Sequence, residues 1–77
     1  MPPLQQRYYD ILMDRVREDR YPSHQLLDRI EASIWTPEQM TEYVALLLEK
    51  VDDCHYPSHQ LLARIENMMR LGAVVAA

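Results

Sequence analysis

The sequence predicts an all-α fold of four helices, arranged as two tandem helical hairpins and packed as a pseudo-twofold bundle. Three observations predict it. Apolar residues recur at spacings of three and four along most of the chain, the periodicity of one helix face. Sliding the sequence against itself by 35 positions lays residues 20–31 on residues 55–66 with ten of twelve positions identical. The composition, 48% hydrophobic and 26% charged with one glycine and no phenylalanine, is that of a folded helical chain rather than a disordered one.

The 35-residue offset also pairs Pro2 with Pro37, Tyr8 with Tyr43, Leu12 with Leu47 and Val16 with Val51. It divides a single domain, 1–77, into repeat 1 (residues 1–35), repeat 2 (36–70) and a short apolar tail (71–77). The first helix follows Tyr8, Ile11, Leu12 and Val16. Tyr21-Pro22-Ser23 then breaks the chain, because a residue before proline avoids helical geometry and the serine can accept a bond from a free amide. The second helix carries Leu26, Leu27, Ile30 and Ile34. At Thr36-Pro37-Glu38-Gln39 a capping threonine, a proline in the first turn and a glutamine able to reach back start the third helix, with Tyr43, Leu46, Leu47 and Val51 as its stripe. Tyr56-Pro57-Ser58 repeats the break, and the fourth helix runs through Leu61, Leu62, Ile65, Met68 and Met69. Gly72, after Leu71, suits its end, and the residues beyond are expected to fray. Trp35 is expected to fill the seam between hairpins, and the tyrosines to be core. A helical solenoid of this period needs at least three repeats, and the glycine and small-residue pattern of tetratricopeptide repeats is absent. A closed bundle is therefore favoured.

A 77-residue chain buries only about 60% of the surface its unfolded form exposes, so association with a partner is a cheap source of stability. Several function classes are disfavoured. Residues 1–35 hold five arginines against six acids and residues 36–70 three basic residues against six, so neither half is the basic surface that grips a phosphate backbone. The apolar runs, residues 44–48 and the tail, are far short of a membrane span. Met1-Pro2-Pro3-Leu4 does not resemble a secretory signal. Cys54 is the only cysteine, and a reducing cytoplasm is the expected location. Beside Asp52 and Asp53, whose charges oppose thiolate formation, Cys54 is a poor nucleophile. No carboxylate pair, phosphate loop or Ser/His/Asp set stands out, so no enzymatic activity is expected.

Candidate functional residues come from the repeat itself. Identity is high over residues 20–31 and low over 1–19, where four of nineteen positions match. Packing explains Tyr, Pro, Leu and Ile in the matched segment but explains His24, Gln25, Arg29 and Glu31 less well. Gln25 with Arg29, and Gln60 with Arg64, are i,i+4 pairs on a flank bordering the apolar stripe. Tyr21, His24, Gln25 and Arg29 in the first copy, and Tyr56, His59, Gln60 and Arg64 in the second, form the expected partner-binding set. The competing structural role for Arg29 and Arg64 is a bond across the bundle. Cys54, His55, His59 and His24 suggest zinc only weakly, since the first copy has Asp19 and Arg20 where the second has Cys54 and His55. Neither a metal nor a cofactor is expected.

The sequence thus favours a small non-enzymatic protein-interaction module, an adaptor or regulatory subunit displaying a duplicated surface. Its apolar excess also allows a homodimer. The alternative is a small DNA-binding or transcriptional accessory protein with helix-turn-helix-like hairpins. Against this, the second helices offer Gln25 and Arg29 beside Asp28 and Glu31, a poor set for a major groove.

Overall fold

The computed structural model describes residues 3–19, 22–53 and 59–76, the side chains of 73–76 excepted. The described residues are all helical or connecting, with four helices and no strand. The chain divides into two compact units, Met1–Trp35 and Thr36–Ala77. In the first, α1 (Leu4–Glu18) packs on α2 (His24–Ser33); in the second, α3 (Pro37–Asp53) packs on α4 (His59–Ala76).

The helix ends have local chemical causes. No side chain caps the start of α1, where the Pro3 carbonyl accepts the first helical bond from the Arg7 amide at 3.1 Å. Arg15 and Arg17 in its last turn complement the partial negative charge of the helix C-terminus. The chain then turns extended at Asp19, whose amide bonds back to the carbonyls of Arg15 and Val16. Ser23 is the cap of α2, its Oγ accepting from the Leu26 amide at 3.2 Å. The α2 helix closes with the Ile34 amide on the Glu31 carbonyl and the Ser33 hydroxyl donating to the Ile30 carbonyl. At the start of α3 the expected reciprocal cap is present. The Gln39 amide donates to Thr36 Oγ1 at 3.1 Å, and the Thr36 amide donates to Gln39 Oε1 at 3.3 Å, satisfying two amides that the helix itself cannot. Glu38 in the first turn and Lys50 in the last add favourable charge at each end of α3.

The buried stripe of the first unit is Tyr9, Leu12, Met13 and Val16 on α1 against Leu27 and Ile30 on α2. In the second unit it is Gln39, Tyr43, Leu46 and Leu47 on α3 against Ile65 and Met68 on α4. Each fully buried aliphatic of these sets contributes roughly 1.5–3 kcal/mol relative to exposure. The expected stripes hold for α2 and α3, with Leu26, Ile34 and Val51 half-buried at their margins.

On α1 the expectation is corrected. Tyr8 is 46% and Ile11 49% exposed, whereas Tyr9 is fully buried. The reason lies one turn further on. A stripe led by Tyr8 would carry Arg15 toward the core, while the stripe led by Tyr9 continues through Leu12, Met13 and Val16 without a charge. Leu12 and Val16 are buried as expected and common to both stripes, and the helix is accordingly rotated by somewhat less than one residue, about 75° between stripe centres. Burial then matches Tyr9 with Tyr43, Leu12 with Leu46 and Met13 with Leu47, all 34 apart, while Ile30 and Ile65 remain 35 apart. The sequence agrees once the offset is changed. Over residues 3–19, offset 34 gives five identities (Pro3/Pro37, Gln5/Gln39, Tyr9/Tyr43, Leu12/Leu46, Asp19/Asp53), against three at offset 35.

Three further expectations are corrected. Trp35 is 66% exposed rather than a buried filler. Its two neighbours explain this, since Ile34 is already extended and Thr36 is committed to capping α3, which leaves Trp35 outside both helices. Met69 is also exposed, because Ile65 and Met68 already fill the seam on α4. Gly72 does not end α4, which continues to Ala76 with no positive φ at glycine. A Cβ at position 72 would stand 3.1 Å from Met40 Sδ, so glycine here permits close approach of α4 to α3 rather than a turn.

Candidate functional site

The sequence-derived binding set divides between the units. In the first unit His24 and Gln25 form the opening turn of α2, directly after the Ser23 cap, and both are exposed. Arg29 follows one turn later, also exposed, so Gln25 and Arg29 share one flank of the helix as their spacing requires. In the second unit His59 and Gln60 open α4 and are exposed, but Arg64 is half-buried. The two arginines therefore differ in environment, and the residue before each differs as well, Asp28 in the first copy and Ala63 in the second. Tyr21 and Tyr56 lie outside the described residues, as do Cys54 and His55. Among the described residues no group of three or more His, Cys, Asp or Glu side chains is placed to hold a metal ion.

Arg29 occupies a setting that sequence reading did not anticipate. Together with Ala32 and Ser33 of α2, and Gln5 and Tyr8 of α1, it lines an open, mostly apolar cleft of about 280 Å³ on the first unit. The cleft joins the beginning of α1 to the end of α2, the geometry of two antiparallel helices. Its aromatic wall, Tyr8, is the residue released from the core by the rotation of α1. Ile11 is released with it, and Leu4, one turn before Tyr8, is 81% exposed. Neither Arg15 nor Arg29 forms an ion pair with a described residue. By contrast, Arg17 is held by Asp14 at 3.1 Å. Tyr8 and Ile11 were legible in the sequence as apolar residues at helical spacing. The missing signal was the competition between Arg15 and Val16 for the inward position.

Among the described residues no helix is long and apolar enough to cross a membrane. No protein family, curated protein sequence or solved structure matches this chain.

Proposed function

We propose that this chain is a non-enzymatic protein-interaction module, an adaptor or regulatory subunit acting in the cytoplasm, built from two copies of one helical hairpin that associate about an approximate twofold axis. The observation that carries this reading is identity at exposed positions. His24 and Gln25 recur as His59 and Gln60, and all four are exposed. A core needs none of them. In the first unit Ser23 accepts from the Leu26 amide at the start of the same helix. The duplication is supported by burial at matching places in the two units, of Tyr9 and Tyr43 on the first helices and of Ile30 and Ile65 on the second. It is supported as well by the division of the chain between Trp35 and Thr36.

The test is a variant with alanine at Gln25, Arg29 and Gln60, all exposed and therefore removable without opening a cavity. Affinity purification from the native host with the wild-type and variant chains, matched for helicity by circular dichroism, should show a protein partner retained only by the wild type. Equal recovery of every partner by both chains would remove these residues from the interface, and the absence of any specific partner would refute an adaptor role.

A further inference from the structure

The first unit is segregated by charge and polarity between its two sides. Projected at 100° per residue, Leu4, Tyr8, Ile11 and Arg15 occupy one flank of the buried stripe of α1. Arg29 and Ser33 occupy the flank of α2 that the antiparallel hairpin turns to the same side, as the shared cleft requires. Asp10, Asp14, Asp28 and Glu31 fall on the opposite side, while Glu18, three residues after Arg15 and seven after Ile11, ends the same α1 stripe. One face therefore combines three exposed apolar side chains, an apolar cleft and two cations without an ion pair to any described residue.

We propose that this face docks an acidic amphipathic helix of a partner protein, with one apolar side chain of that helix seated in the cleft against Tyr8 and Ala32 and carboxylates on Arg29 and Arg15. This names the partner class for the interaction module proposed above and rests on that reading. Each part of the surface selects the occupant. A cleft of about 280 Å³ lies below the usual range for small-molecule sites, about 300–1,000 Å³, but accommodates a leucine or phenylalanine side chain. The groove between two helices accepts a third helix through anchors at i, i+4 and i+7. Leu4 to Ile11 spans two turns, about 10 Å at 1.5 Å per residue, which matches two such anchors. Arg29 borders the cleft and Arg15 continues the α1 stripe, while the one acid on that stripe, Glu18, lies ten residues or about 15 Å along α1 from Tyr8, so the part of this side around the cleft complements carboxylates and disfavours basic helices. Arginine binds carboxylate through two parallel bonds, which orients the incoming helix as well as attracting it.

The experiment measures fluorescence anisotropy of a labelled synthetic helical peptide on the full chain. The peptide has an alanine and glutamine background, leucines four residues apart, and a glutamate one turn beyond each. Control peptides replace the glutamates by glutamine or by lysine. The acidic peptide should bind saturably with a Kd below about 1 mM, the glutamine and lysine peptides at least about tenfold more weakly. Tyr8→Ala and Ile11→Ser should each weaken it by about tenfold with helicity unchanged, and Arg29→Glu should abolish it while gaining binding to the lysine peptide. Failure of the acidic peptide to bind, equal binding of all three peptides, or binding unaffected by both Tyr8→Ala and Ile11→Ser would overturn the proposal. A host partner retained by the wild type and lost on alanine substitution of Gln25 and Gln60, yet indifferent to Tyr8→Ala, would leave the interaction module standing and refute this docking face.

Discussion

Tyr8 and Tyr9 are neighbours of identical chemistry, and exchanging each in turn for alanine measures directly which way α1 is rotated. Tyr9 is fully buried among Leu12, Met13, Leu27 and the other core residues of its unit, so Tyr9→Ala loses the transfer energy of an aromatic ring and leaves a cavity, about 3–5 kcal/mol in all. At roughly 0.05–0.15 kcal/mol per residue the whole chain is expected to have only about 4–12 kcal/mol of stability. The substitution should therefore bring the first unit close to unfolding at 25 °C. Tyr8 is about half exposed and borders an open cleft, so its replacement loses about half the value of a fully buried apolar side chain and leaves no enclosed void. Tyr8→Ala should accordingly cost about 1 kcal/mol. Urea unfolding followed by far-ultraviolet circular dichroism at constant pH and salt separates the two by their midpoints, provided the slopes agree with wild type. If Tyr8→Ala proves as destabilising as Tyr9→Ala, or more so, the rotation of α1 is wrong and the stripe led by Tyr8 is restored.

Thr36→Ala removes the acceptor of the Gln39 amide and should cost about 1 kcal/mol, with Thr36→Ser recovering most of it; equal midpoints for all three chains would show that the cap contributes nothing. Gly72→Ala should be neutral or stabilise by up to about 1 kcal/mol, since alanine favours the helix and the neighbouring atom is the flexible Met40 thioether rather than backbone. Destabilisation of about 1 kcal/mol or more in thermal melts would instead mean that position 72 needs glycine, either for a left-handed turn or because Met40 cannot move.

Much of the backbone was legible in the residues because its punctuation is chemical. Ser23 and the Thr36/Gln39 pair mark helix starts through bonds that their side chains make to free amides, and those bonds are present. The stripe of α3 was read correctly at Tyr43, Leu46 and Leu47, although Met40, Val44, Leu48 and Val51 offer a second apolar rotation. On α1 the run Ile11-Leu12-Met13, preceded by two tyrosines, permits two rotations by periodicity alone. The choice depends on the cost of turning Arg15 toward a packed neighbour, which a single-helix pattern does not weigh. The Gly72 misreading has a similar origin, since the close approach of Met40 is a property of two helices together. The cleft at Arg29 was hidden for the same reason, because it required α1 to turn Tyr8 outward before α2 had a wall to face.

The joint between the two units is closed on each side by its own residues. The last turn of α2 is finished by Ile34 on Glu31 and Ser33 on Ile30, and the first turn of α3 by Thr36 and Gln39 on each other. Trp35 stands between two ends that are already satisfied. Residues inserted next to it would leave the bonds that finish α2 and start α3 in place, so each helix would keep its length and its caps.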